Sequence, residues 1–521
     1  MSVTRRDLLQ NGGLLAAFSG AATTAPGALQ PGPKIYESIG VRPIINCRGT
    51  LTIIGGSLEL PEVRAAKEAA AAHFVPLEEL MEAVGHRLAE LTGAEWGIVT
   101  SGCAAAMTVA TAACVAGANP DKHVRIPNLH SFAKDEVIIP KHSRNVYDAA
   151  IRAVGVRVIE VTTPEELQTA IGPRTAMIYI FAGPRVDSSA LSLEAVARIA
   201  RPENVPVLVD AAAEILTIPN LHLQRGATMV AYSGGKCIRG PQCAGILLGR
   251  KDLVKSAWIH SAPHHGFARA MKVGKEEIIG MLMAVEMWVR RDHKAEWARW
   301  LSWLDHIAKR VSRIDGVTTD VRQPTELSNR SPSLAVRWDP SRIDITGAEV
   351  SRLLYETEPR IALGGGGRGR GIAGVSVTAY MMSPGDEKIV ADRLHAVLSA
   401  PPKMPAVNPP DPPATDLSGR WDVHIEFTGS TSEHTLHLRQ TDGGILGTHQ
   451  GDYVSRELSG SIEGNNVRMA SSWTEQNGDS LMFRFEGKAT GDTMSGTLDM
   501  GEYLQAKWTA KKHAFRGRSG V

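Results

Sequence analysis

Over residues 34–320, short apolar runs rich in β-branched side chains alternate with alanine-rich stretches. Trp96-Gly97-Ile98-Val99-Thr100 precedes an apolar helical stretch at 103–116, residues 156–161 precede a helix start at Pro164-Glu165-Glu166-Leu167, and 176–181 and 207–209 supply further short strands. Such alternation predicts an α/β unit, a doubly wound sheet covered on both faces. Residues 276–309, with Trp288, Trp297, Trp300 and Trp303, read as one or two long helices closing this unit, the indoles in core and interface. From 321 to 400 the pattern gives a small α+β unit: strands at 333–338 and 374–379, helices at 346–355 and 387–398. A proline-rich linker at 401–414 follows, without a core of its own.

Beyond the linker the period changes to two. Trp421-Asp422-Val423-His424-Ile425-Glu426-Phe427 alternates, and further runs up to position 508 are separated by turns such as Asp442-Gly443-Gly444 and Thr490-Gly491-Asp492. About eight short strands without a helical pattern predict, for residues 415–515, an all-β antiparallel meander that closes into a sandwich or small barrel. A barrel of this kind can hold a ligand or serve as an accessory packing domain.

The length of 521 residues agrees with this division, since one domain per roughly 150 residues gives about three units. Charge narrows the functions. With 57 basic and 55 acidic side chains the formal net charge is +2, which removes the electrostatic case for a dedicated nucleic-acid binder. The five cysteines form no CxxC pair and are odd in number, so neither a disulfide framework nor structural zinc is expected. His260, His264 and His265 fall close together, but no carboxylate at helical spacing joins them, and no metal is expected.

Residues 1–33 stand apart. Ser2-Val3-Thr4-Arg5-Arg6-Asp7-Leu8-Leu9-Gln10, a short weakly apolar run and a Thr/Ala/Pro/Gly stretch resemble a twin-arginine export signal. That resemblance implies recognition by the twin-arginine translocon and a periplasmic or secreted protein. The apolar run is too short to span a bilayer, and no later stretch is a long uninterrupted apolar run, so no stable membrane anchor is expected.

Chemistry concentrates at three places. Ser233-Gly234-Gly235-Lys236-Cys237-Ile238-Arg239-Gly240-Pro241-Gln242 carries a lysine beside glycines, between two apolar runs. By itself this is either a solvated turn or an amine in a pocket, where desolvation lowers its pKa and allows Schiff-base chemistry. Asp210 follows the buried run Val207-Leu208-Val209, at the carboxyl end of a parallel strand, where α/β ligands bind. A carboxylate there can keep a pyridine nitrogen protonated. Thr100-Ser101-Gly102-Cys103 turns a strand end into a helix whose first N–H groups suit a phosphate.

Taken in chain order, the three resemble a pyridoxal-phosphate enzyme of the aspartate aminotransferase fold (fold type I). Arg42-Pro43-Ile44-Ile45-Asn46-Cys47-Arg48-Gly49-Thr50, Leu91-Thr92-Gly93-Ala94-Glu95 and the Ser233 to Gln242 segment resemble the selenocysteine synthase-like family. Met271-Lys272-Val273-Gly274-Lys275-Glu276 is most similar to its D-glucosaminate-6-phosphate ammonia-lyase branch. The resemblance spans about residues 34–400. It implies pyridoxal 5′-phosphate as cofactor, Lys236 as the Schiff-base lysine and catalytic base, and Asp210 against the ring nitrogen. Ser101, Gly102, Cys103 and Ser233 would hold the cofactor phosphate. Cys237 stands where the family more often has glycine, which bears on the width of the pocket beside the lysine.

Further candidates are His130, to stack on the cofactor ring, and Arg360, His142 and Arg144, to contact substrate. Lys272 and Lys275 lie at a helix start and can meet a substrate phosphate, a second subunit or solvent. The run from Gly364 to Gly371 resembles a phosphate loop but lacks the following Lys-Ser/Thr, and reads as a flexible loop.

The resemblance implies a lyase acting by α,β-elimination on an amino acid or amino sugar acid and releasing a 2-oxo acid and ammonia. The fold type implies at least a homodimer. The same lysine and aspartate serve racemases, aldolases and transferases. A different class, a periplasmic binding protein acting through its C-terminal β domain, is the other alternative. A charged-tRNA substrate is disfavoured by the net charge and the export signal.

Overall fold

The computed structural model describes residues 29–365, 371–402 and 410–514. Most of the expected export signal therefore lies outside the described residues, as do positions 366–370 of the glycine-rich run and 403–409 of the linker. The chain divides near residue 404 into two compact units.

The first unit is built on a seven-stranded sheet. Its order is Trp96–Thr100, Gly245–Gly249, Met229–Ser233, Val207–Asp210, Thr175–Phe181, Glu136–Pro140 and Arg157–Val161. Gly245–Gly249 runs against the other six. The central strands are buried almost throughout, which is why they read as continuous apolar runs rather than alternating ones. Helix Gly102–Ala116 is alanine-rich and twelve of its fifteen residues are buried, so it lies within the layer rather than on its surface.

A second, five-stranded sheet in the same unit has its own core. Its order is Ile45–Cys47, Ile361–Gly365, Ala373–Thr378, Ser333–Trp338 and Val317–Arg322. Two features differ from the expected division at position 320. Ile45–Cys47, far upstream, pairs in parallel with Ile361–Gly365, and Val317–Arg322 straddles the boundary. The glycine-rich run also differs from a loop at its start, because Gly364 and Gly365 pair as strand with Ser376 and Val375.

The tryptophan-bearing segment forms two helices, Lys275–Arg290 and His293–Val311. Arg291 takes an extended conformation and ends the first; Asp292 caps the second by accepting from the Ala295 amide. Trp288 is buried and donates to the Leu216 carbonyl, while Trp300 and Trp303 pack on the second core. No helix among the described residues is long and apolar enough to cross a membrane.

The second unit is a closed eight-stranded antiparallel barrel in meander order, sealed where Gly419–Glu426 pairs with Gln505–Lys512. Trp421, Val423 and Ile425 are buried and their neighbours more open, as the two-residue period requires. Closure pairs every strand on both edges, and so decides between the sandwich and the barrel. The interior carries a buried polar chain from His434 through His449 to Ser471, joined at 2.8 and 2.7 Å.

Candidate active site

The site is assembled at the carboxyl ends of three parallel strands of the seven-stranded sheet, the edge strand Trp96–Thr100 and the inner strands Val207–Asp210 and Met229–Ser233. Trp96–Thr100 turns at Ser101 into helix Gly102–Ala116, with Gly102 at a φ of 89°. The Ser101 hydroxyl does not cap this helix; it donates to the Met271 carbonyl at 2.8 Å. A helix start without a side-chain cap offers its first N–H groups to an anion such as a phosphate. Gly245 is what lets that start sit so low on the sheet. A Cβ there would lie 2.5 Å from the carbonyl carbon of Gly102 and 2.6 Å from the nitrogen of Cys103.

Asp210 ends the Val207–Asp210 strand and is 1% exposed. Its Oδ2 accepts from the Tyr179 hydroxyl at 3.0 Å, and its Oδ1 from the Ala212 amide at 3.0 Å and the Cys103 thiol at 3.4 Å. These donors are uncharged. Burial therefore dominates and raises the carboxyl pKa, with the hydrogen bonds opposing. Burial likewise pushes the Cys103 thiol well up, so it stays protonated and donates. A buried carboxylate held by neutral donors matches a cationic ring nitrogen in chemistry. The residues present thus fit the cofactor that the fold implies.

Lys236 sits in the turn after strand Met229–Ser233, which is closed by the Gly240 amide on the Gly234 carbonyl at 2.9 Å. Gln242 folds back over Gly235, where a Cβ would meet its Oε1 at 2.0 Å and push that side chain aside. The lysine is half-buried and donates from Nζ to the Thr50 carbonyl at 2.8 Å. Burial lowers its pKa, the first requirement for an amine that must react as the free base. Thr50 is fixed in turn by Tyr380, Oγ1 to Oη 2.8 Å, so a residue just beyond the small sheet's Ala373–Thr378 strand helps to place the lysine. Cys237 aims its thiol at the Glu214 carbonyl at 3.0 Å, and burial pushes it up to about 12.

Lys236, Asp210 and Cys103 form one cluster, close enough that the lysine and the aspartate both act on the Cys103 thiol. Ser101 and Gly102 adjoin it through the helix start, and Ser233 ends the strand that leads into the lysine turn. The other expected residues stand in different surroundings. His130 is on an exposed loop, its amide held by Asn128 Oδ1 at 3.2 Å. His142 bonds the Ser143 hydroxyl through Nδ1 at 3.0 Å and lies against the Leu191 backbone. Burial lowers its pKa. Arg144 is paired with Asp148 at 2.6 Å and Glu160 at 3.3 Å, and Asp148 is shared with Arg152. Arg360 donates to the carbonyls of Tyr355 and Arg42, at 2.7 and 2.8 Å. Lys272 is exposed, and Lys275 donates to the Ala70 carbonyl at 2.9 Å. Within the histidine group, His260 is bonded to His123 at 2.9 Å and to the Gly117 carbonyl at 2.7 Å.

Three contributors are absent from the sequence candidates: Tyr179, Asn145 and Tyr380. Asn145 donates to the Tyr179 hydroxyl at 3.1 Å, completing a chain that ends on Asp210. A tyrosine inside a fully buried strand is the signal that could have found it, since its hydroxyl must have a partner. Nothing near Tyr380 in the chain points to Thr50.

Residues 66–266 match the aminotransferase class-V family. The D-glucosaminate-6-phosphate ammonia lyase of Salmonella typhimurium is 31% identical over 333 residues, covering 62% of this chain and 87% of that protein. The 5'-C-glycyluridine monooxygenase-decarboxylase of a Streptomyces species is 33% identical over 302 residues, 55% of this chain and 73% of that protein. The L-seryl-tRNA(Sec) selenium transferase of Proteus mirabilis is 27% identical over 277 residues, 46% of this chain and 55% of that protein. A solved structure of D-glucosaminate-6-phosphate ammonia-lyase superposes with a TM-score of 0.63 at 28% identity, over 71% of this chain and 99% of that one. Sheet order, the lysine–aspartate cluster and these matches agree: the chain belongs to the aminotransferase class-V family, and is a pyridoxal phosphate-dependent enzyme of fold type I with a closed β-barrel after it.

Proposed function

We propose that the enzyme is an ammonia-lyase acting on an amino sugar acid or a related β-hydroxy amino acid. The observation that carries this reading is a half-buried Lys236 amine and a buried Asp210 that both act on Cys103, in a chain that matches 87% of an ammonia lyase's length. Lys236 would hold the cofactor's aldehyde carbon, Asp210 its ring nitrogen, and the helix start at Ser101, Gly102 and Cys103, with Ser233, its phosphate. When bound, pyridoxal phosphate supplies a carbonyl that condenses with amines and an electron-poor ring that accepts charge from the α-carbon.

The protein's own part is proton handling. Lys236, whose amine burial shifts toward the free base, would take the proton from the substrate's α-carbon. Asp210, kept in place by Tyr179, Ala212 and Cys103, balances positive charge on the ring side of the site. Loss of the β-hydroxyl as water and re-entry of water at the amine-bearing carbon give a 2-oxo acid and ammonia. We include in the proposal a homodimer, and export by the twin-arginine route on the strength of Arg5-Arg6.

The test is a turnover screen of purified protein with pyridoxal phosphate against D-glucosaminate, its 6-phosphate and β-hydroxy amino acids, measuring ammonia and 2-oxo acid together. Stoichiometric release of both from one of them supports the reading. The 33% identity to a monooxygenase-decarboxylase favours a second reading, so carbon dioxide is measured in parallel. Carbon dioxide without ammonia would replace the lyase with a decarboxylase.

A further inference from the structure

Behind the lysine turn lies a cavity of about 710 Å³ that none of the chemistry above uses. It is within the size range of small-molecule sites. Arg239, Arg291, Lys294 and Arg330 line it, and among the described residues Glu296 is the carboxylate that faces them. Its walls include the indoles of Trp288, Trp297 and Trp300.

Arg291 is the informative residue. Its side chain is only 9% exposed, yet Nε and one terminal nitrogen have no hydrogen-bond partner among the described residues. The other terminal nitrogen donates to the Cys237 carbonyl at 3.3 Å, and the guanidinium lies 4.9 Å from the centre of the Trp288 ring. Glu296 is 3.7 Å from Nε, beyond hydrogen-bond length, and its carboxylate also faces His293 at 3.6 Å. Arg239, half-buried, has its pKa lowered first by burial and then by Arg291. Arg239 donates from Nε to the Leu58 carbonyl at 2.9 Å, and Glu62 as well as Glu296 acts on both arginines, but the two buried donors of Arg291 stay unmatched, which is costly unless an acceptor completes them. The break between helices Lys275–Arg290 and His293–Val311 is what turns Arg291 into the cavity.

We propose that this cavity binds a small organic anion, with its carboxylate or phosphate on Arg291 and its body against Trp288 and Trp297. An oxyanion supplies both acceptors. Its source is either the far end of the enzyme's own substrate or a separate effector. The cavity reaches Tyr380, which holds Thr50, and Cys237, which follows Lys236. Occupancy therefore bears on the residues that place the lysine. The inference does not rest on the lyase reading, because binding is read directly.

The experiment is equilibrium dialysis of full-length protein, saturated with pyridoxal phosphate, against phenyl phosphate and inorganic phosphate. Saturation removes the cofactor's own phosphate site from the measurement. Phenyl phosphate is expected to bind more tightly than inorganic phosphate. Arg291→Gln should weaken it by about tenfold or more, and Arg330→Glu, at an exposed position that a folded chain tolerates, by about fivefold. The visible absorption of bound cofactor reports that each variant is folded. Displacement by D-glucosaminate 6-phosphate identifies the substrate's own anion; binding that persists in its presence identifies an effector. Wild-type affinity in either variant with its cofactor bound, or no phenyl phosphate bound by the wild type, would overturn the proposal.

Discussion

Tyr179 donates its hydroxyl to Oδ2 of Asp210 at 3.0 Å from the neighbouring parallel strand, so the sheet itself orients one carboxylate oxygen while the Ala212 amide and the Cys103 thiol hold the other. A hydrogen bond to a charged acceptor contributes about 1.5–3 kcal/mol. Tyr179→Phe should therefore weaken pyridoxal phosphate binding by about tenfold or more, read from an absorbance titration. Unchanged affinity would remove Asp210 from the cofactor site or Tyr179 from its support.

Lys236 supplies the amine of the cluster, and Thr50 gives it a neutral acceptor rather than a charged one. Lys236→Ala should lower turnover by about 10³-fold or more. Borohydride should fix the cofactor covalently in the wild type and not in the variant, as mass spectrometry of the intact chain would show. Covalent label in both would place the Schiff-base amine elsewhere.

Gly245 leaves room for the helix start above the sheet, and a methyl group there meets backbone atoms that cannot turn aside. Gly245→Ala is expected to cost about 1–3 kcal/mol of stability and to reduce the further stabilisation that cofactor gives. Thermal unfolding with and without added pyridoxal phosphate measures both. A variant as stable and as well stabilised by cofactor as the wild type would contradict the packing argument.

His449 in the barrel is buried and its pKa is lowered to about 3, first by burial and then by His434 and Arg456. Its ordinary value is 6.5, so between pH 6.5 and about 3 the unfolded chain binds the extra proton. Stability from this group is complete above pH 6.5 and declines as pH falls through that window. Hydrogen exchange at strands Thr431–Thr441 and Gly444–Gln450 of the full-length protein, corrected for intrinsic rate, should accelerate on acidification. His449→Asn should flatten that response; an identical slope would assign the acid sensitivity to other groups.

Export, if it follows Arg5-Arg6, fixes a compartment. Wild-type protein should fractionate outside the cytoplasm of a host with a twin-arginine translocon, and Arg5→Lys with Arg6→Lys should retain it inside. The same distribution for both would dispose of the signal.

The class of each unit is readable in the sequence, because periodicity follows directly from what a strand or helix must bury. Continuous apolar strands announce the covered sheet, and two-residue alternation from Trp421 onward announces an antiparallel β unit, sandwich or barrel, which closure then decides. Lys236 and Asp210 are legible as candidates for a similar reason: a lysine beside glycines and an acid closing a buried strand are local features. Contacts between residues far apart in the chain emerged from the fold alone. Ile45–Cys47 joins a sheet otherwise made from residue 317 onward, and Tyr380 reaches Thr50. Arg144 and Arg360, suited to substrate contacts in the sequence, are engaged by Asp148 and Glu160 or by backbone carbonyls. Arg291 carries no local signal at all; a helix break and the burial around it leave its donors unmatched. Local pattern dictates what a segment buries, whereas the partner of a buried charge depends on which distant segments the fold brings beside it.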